Sequence, residues 1–164
     1  MVNLGINIEN SCFEKWGQLG RPKSTLKGCL FKLNDDFTKL ELVKESDISN
    51  DSDSPWSDFV KMLPEDACRF GCFDFELTLK SGATNVPDRT INKIALINWI
   101  GQKSPRRERM IHTSTVMPVK MKLDAHIVLT FHGPDDIDLV EIADTIKRKT
   151  GSNSHVVSIE KHNL

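Results

Sequence analysis

Arg106, Arg107 and Arg109 stand beside Met110, with Lys120 and Lys122 further along the same helical pattern, as a local group of side chains able to recognise a charged partner. The arginines fall near the start of that pattern, where the helix dipole favours acids, so helix stability does not explain them. They form either a solvated basic face or a surface that docks an acidic partner, because Arg and Met are enriched at protein interfaces.

Other chemistry finds little support. The four cysteines, Cys12, Cys29, Cys68 and Cys72, lie in or beside apolar segments with no Cys-x-x-Cys spacing. Zinc ligation wants close-set pairs completed by further Cys or His, so buried free thiols are the better reading and no metal site is expected. The five histidines, His112, His126, His132, His155 and His162, form neither His-Glu-x-x-His nor His-x-His. No glycine-rich phosphate cradle is present, so neither a nucleotide nor another cofactor is expected. No nucleophile sits in a Gly-x-Ser-x-Gly elbow, although a catalytic set can assemble from distant residues.

A chain of 164 residues with 22 basic and 23 acidic side chains is expected to form a single domain, 1–164, with little reason to bind nucleic acid or an anionic membrane as a whole. The longest apolar run, Ile94 to Ile100, is interrupted by Asn98, far short of a bilayer span. The amino terminus lacks the basic and apolar segments of a secretory signal, which gives an expectation of a cytoplasmic protein.

The elements that would position these residues follow from periodicity. Asn10 can cap a short helix to about Leu19, and Leu26–Leu33 with Leu40–Lys44 read as strands joined through Asn34, Asp35 and Asp36. The acidic, Ser-rich segment Glu45–Ser54 reads as an exposed loop. Ser54-Pro55 opens a helix whose stripe is Trp56, Phe59, Val60 and Leu63. Strict alternation in Phe73–Leu79 predicts a strand with one polar face, begun at Cys68–Cys72. Lys93–Ile100 suits a central strand, with a long polar loop from Lys80 to Asn92 before it. Pro105–Leu123 and Asp135–Thr150 read as helices, the latter with Leu139, Ile142, Ala143 and Ile146 on one stripe. Ile127–Phe131 and His155–Ile159 are strands by their β-branched content. The sum is an α/β fold, a mixed five- to six-stranded sheet sandwiched between helices on both faces.

Phe59-Val-Lys-Met-Leu-Pro64, followed by Cys68-Arg-Phe and Asp74-Phe, resembles the middle of an actin-depolymerising factor/cofilin domain. Trp99 to Thr115 is similar to that family's Trp-x-Pro-x-x-x-Pro-x-Lys-x-Lys-Met-x-Tyr-x-Ser-Ser signature, with Pro105, Arg107, Arg109, Met110 and Ser114 on key positions. Gly151 to Glu160 resembles the closing strand. The resemblance implies the ADF-homology (gelsolin-like) fold and a non-catalytic monomer that binds ADP-preferring actin monomers and filaments, promoting severing and depolymerisation. A divergent member that binds monomers or filament sides without strong severing is the alternative, and a small α/β enzyme a minor one.

Carried over by the resemblance, the monomer-binding surface comprises Leu4, Gly5, Ile6, Arg107, Arg109, Met110, Ser114 and Lys120. The filament-binding surface comprises Lys80, Arg89, Lys93, Asp144, Lys147 and Arg148. Phosphoinositide head groups would meet Arg106, Arg107, Arg109, Lys120 and Lys122.

Departures from the family are specific. Asn3 or Leu4 replaces the N-terminal serine where phosphate would act, Gly101 replaces the proline after Trp99, His112 the tyrosine and Val116 a lysine. Pro118 removes one hydrogen bond from the long helix and is expected to kink it. Vertebrate members become more active as pH rises through a histidine paired with an acid near the tryptophan. Here His126 takes the histidine position and Gln102 the acid's, so a weaker pH response is expected.

Overall fold

The computed structural model describes residues 5–80, 85–150 and 155–164. The elements run β1 (Asn7–Ile8), α1 (Asn10–Gln18), β2 (Leu26–Leu33), β3 (Lys39–Leu42), β4 (Ile48–Ser49), α2 (Pro55–Lys61), β5 (Cys68–Lys80) and β6 (Arg89–Ile100). After them come α3 (Arg106–Leu123), β7 (Val128–Phe131), a 3-10 turn at Pro134–Asp136, α4 (Leu139–Thr150), β8 (His155–Ile159) and β9 (His162–Asn163).

All strands join one mixed sheet in the order β1-β3-β2-β5-β6-β7, six strands along the main path, with β4 beside β2 and β8 and β9 off it. The long β5 pairs antiparallel with β6 along its length, from Cys68 opposite Ile100 to Leu79 opposite Arg89. Its other edge is shared: Gly28–Phe31 of β2 covers Phe73–Phe70, and β8 covers Leu77–Lys80. Parallel β7 closes the far edge, Trp99 opposite Phe131.

Pleating sends odd-numbered residues of β5 and β6 to one face and even-numbered ones to the other. Phe73, Phe75, Ile97 and Trp99 pack with Trp56 and Phe59 of α2 and with Ile142, Ala143 and Ile146 of α4. Phe70, Cys72 and Leu96 pack with Cys12 of α1 and Val119 and Leu123 of α3. Helices thus cover both faces, as the sequence pattern predicts.

Several boundaries differ from expectation for physical reasons. Asn10 opens α1 rather than capping it, with Glu9 as the flanking residue. Ser54 flanks α2, but its hydroxyl caps nothing; its own N–H donates to Ser52 Oγ at 3.2 Å. The segment Glu45–Ser54 is not wholly exposed: Ser46 and Ile48 are buried, the Ser46 hydroxyl accepting from Leu30 N at 3.0 Å. The expected loop Lys80–Asn92 is shortened because β6 already begins at Arg89. Asp135 and Asp136 belong to the 3-10 turn, separated from α4 by the extended Ile137, while Asp138 Oδ1 accepts from Val140 N at 2.9 Å. Asp74, on the strand face expected to be polar, is buried.

Candidate functional site

The outer face of α3 is held by its inner one. His112, Val119 and Leu123 are buried, and Val119 and Leu123 pack with Ile6 and Phe70. Pro118 has no N–H for the Ser114 carbonyl, yet the helix runs on to Leu123 and ends in left-handed Asp124, φ 55°. Asp124 N–H bonds Met121 O at 3.2 Å and Ala125 N–H bonds Lys120 O at 2.9 Å, closing the terminus.

The head of the helix is fixed by the preceding turn. Trp99 Nε1 donates to Pro64 O at 2.6 Å, Lys103 N to Glu65 O at 2.9 Å and Gly101 N to Ala67 O at 3.2 Å. A Cβ at Gly101 would come within 2.5 Å of Ala67 O and 2.6 Å of Glu65 O, which accounts for glycine at the signature's proline position. Glu108 Oε1 accepts from Cys68 N at 3.2 Å, turning the helix's acid away from solvent and leaving Arg106, Arg107 and Arg109 exposed. Between this head and the end of β7 lies an open recess of about 570 Å³ lined by Ile100, Arg106, Arg109, Met110, Thr113 and His132.

The other expected monomer-surface residues distribute as follows. Met110 is 65% exposed and Ser114 is exposed, its hydroxyl donating to Ile111 O at 2.7 Å. Lys120 is half-buried near the other end of α3. Leu4 lies outside the described residues and Gly5 is exposed, but Ile6 is a correction. Its side chain is buried among Val119, Leu123 and Leu40, so it anchors the arm instead of facing a partner. Lys122 Nζ donates to the Ile6 carbonyl, tying the arm to α3.

The expected phosphoinositide set runs along the length of α3. Arg106 and Lys122 are separated by about 24 Å along a helix rising 1.5 Å per residue, so a single head group cannot meet both ends. Of the filament set, Arg89 and Lys93 share the odd pleat of β6 with the face carrying α4, whereas Lys80 falls on the even pleat of β5. Asp144 and Arg148 of α4 are exposed and pair at 3.2 Å; Lys147 is half-buried.

Gln102 does not stand beside His126. The parallel register Leu96–Val128 to Trp99–Phe131 puts Gln102 just past the Trp99–Phe131 end and His126 before the Leu96–Val128 end, with the whole of β7 between them. Gln102 instead lies against Gly133, and His126 is exposed at the opposite end of β7.

The thiols are poorly placed for reaction. Burial pushes Cys12 up to about 12 and also raises Cys68. Cys29 is raised by its contact with Cys72 and by burial, the two sulfurs lying 3.4 Å apart. Among the described residues no three His, Cys, Asp or Glu side chains converge on a metal-sized site.

The family profile of cofilin/tropomyosin-type actin-binding proteins matches residues 5–147. The chain belongs to this family. Cofilin of Schizosaccharomyces pombe is 32% identical over 111 residues, 68% of this chain and 72% of that protein. Actophorin of Acanthamoeba castellanii is 30% identical over 119 residues, 73% of this chain and 78% of that one. In fold, the chain is similar to Streptomyces griseoflavus cofilin, TM-score 0.68 at 21% identity, covering 88% of this chain and 98% of that one. Coactosin from Entamoeba histolytica gives TM-score 0.68 at 18% identity over 91% and 99%.

Within this cofilin-type fold, sequence reasoning found the arginines and Met110 but missed Met117 and Met121, both 57% exposed on the same helix face. The 110, 114, 117, 121 spacing carried that signal.

Proposed function

We propose that this actin-binding protein receives an actin subunit on the outer face of α3 and promotes filament depolymerisation and severing by favouring one filament conformation through differential binding. One observation carries the assignment of the surface: Arg106, Arg107, Arg109 and Met110 are all exposed at the head of a helix whose other face is locked into the core. Arginines pair with acidic side chains of the partner while a flexible thioether fills an apolar cleft.

Both monomers and filaments are bound, with preference for ADP-bound subunits. Arg89, Lys93, Asp144, Lys147 and Arg148 form the contact with a second subunit in the filament, and Lys80 reaches it from the opposite pleat. The protein acts as a single 1–164 domain and a monomer, in the cytoplasm with actin, without catalysis of its own. A phosphoinositide head group competes for Arg106, Arg107 and Arg109 only.

The test is titration of labelled ADP-actin monomers, with filament pelleting in parallel. Arg107→Ala with Arg109→Ala costs more than about 2 kcal/mol of monomer affinity. Unchanged affinity in a folded variant sinks the assignment of this surface.

A further inference from the structure

Met110, Met117 and Met121 are 65%, 57% and 57% exposed. At about 100° per residue they fall within roughly 40° of arc, in a line about 16 Å long down the helix. Val119, fully buried, points the opposite way. A row of exposed large apolar side chains on an otherwise polar helix surface marks a contact site more often than chance decoration.

The rim is basic. Arg106 and Lys120 fall on one flank of the row and Arg107 on the other by the same helical geometry. The helix's one acid, Glu108, is turned inward to Cys68 N. A partner complementary to this face presents an apolar cleft with acidic edges, long enough to take three thioethers.

We infer that Met117 and Met121 continue the contact of Met110 into one methionine ridge, so that this chain seats in an apolar cleft of the actin subunit along α3 and does not depend on charge alone. The inference rests on α3 being the actin-binding face and adds residues and a property to it. Salt screens the exposed arginine contacts, whereas burial of thioether surface is not screened, so binding persists at ionic strengths that remove a charge-only contact.

Titration of labelled actin monomers at about 50 mM and about 300 mM KCl, on either side of the physiological Debye length, tests this with three double variants. Met117→Ser with Met121→Ser weakens binding at least about tenfold at both salts, as loss of interface anchors does, and keeps the wild-type salt dependence because the charged contacts remain. Met117→Leu with Met121→Leu keeps the apolar surface and the affinity, which separates contact from fold. Arg107→Ala with Arg109→Ala binds more weakly but with a flatter salt dependence.

If the serine pair binds within about twofold of wild type while the arginine pair is weakened, the ridge is overturned and the α3 surface stands. If the arginine pair is also unchanged, both fail. A leucine pair as weak as the serine pair overturns the apolar contact. A serine pair that binds actin normally but loses binding to vesicles containing phosphatidylinositol bisphosphate assigns the ridge to a lipid surface and also overturns it.

Discussion

His112 Nε2 lies 2.7 Å from Asn98 Oδ1, with both side chains buried and the imidazole stacked on Phe70 at 4.1 Å between ring centroids. The amide oxygen can only accept, and Asn98 Nδ2 donates to Thr130 Oγ1 at 3.3 Å, so Nε2 is the donor and carries a proton. Burial, helped by the charge of Arg69, lowers its pKa from 6.5 to about 4. The unfolded chain takes up this proton as pH falls through 6.5 and the folded one does not until about 4, so the contribution is complete above 6.5 and lost between those values.

That gap is equivalent to roughly 3 kcal/mol. Urea unfolding of wild type therefore loses more stability between pH 7 and pH 4.5 than His112→Phe does, although the variant starts lower because Asn98 Oδ1 loses its donor. Parallel pH profiles for the two proteins would rule out His112 as the source.

Lys27 Nζ and Glu160 Oε2 pair at 3.0 Å with side chains 9% and 5% exposed, closing the stretch of β5 that neither β2 nor β8 covers. Glu160 Oε2 also accepts from Glu76 N at 2.7 Å. Burial raises the carboxyl pKa of both Asp74 and Glu160, with Lys27 opposing. Lys27→Met leaves two buried acids without their cation and costs about 3–5 kcal/mol at pH 7. An acid whose folded pKa is raised is most compatible with the fold when protonated, so the loss shrinks as pH is lowered from 7 and grows as pH rises through the raised value. Adding Glu160→Gln recovers part of it. Equal unfolding free energies for Lys27→Met and wild type at pH 7 would contradict this account.

The same cluster shows why the fold was only partly legible. Strand β2 matches its expected bounds because its apolar run is local information, and Ile142, Ala143 and Ile146 lie inward because a 3.6-residue period is also local. Asp74 stands in a clean apolar–polar alternation, yet it is buried, with the charge of Lys27 from another strand acting on it, a neighbourhood no window of the sequence contains. Two-residue strands such as β1 and β9 are too short to show any period. In the site, the arginine group at the head of α3 was readable from composition and spacing. Ile6 was not, because its burial depends on where the arm docks against Val119 and Leu123.

Gly101→Pro, which restores the family's signature residue, destabilises this protein. Proline cannot donate to Ala67 O, and the carbonyls of Pro64, Glu65 and Ala67 all lie within 2.8 Å of any Cβ placed there. Overpacking against backbone together with one lost hydrogen bond costs roughly 2–4 kcal/mol. Thermal unfolding of Gly101→Pro and Gly101→Ala measures it: both melt well below wild type, and a proline variant as stable as wild type would show that the turn before α3 is looser than its hydrogen bonds indicate.

The separation of Gln102 from His126 sharpens the expectation for pH. Continuing the parallel register, the place beside His126 on β6 is taken by Ile94, and Asp124, the nearest carboxylate in sequence, is exposed with its backbone in the left-handed conformation. Among the described residues, then, no acid is paired with His126 for rising pH to break. Filament disassembly measured from about pH 6.5 to about pH 8, across histidine's ordinary range, is therefore the same in His126→Ala as in wild type. A steep rise in wild type that His126→Ala abolishes would show that Asp124 closes on the imidazole when actin is bound.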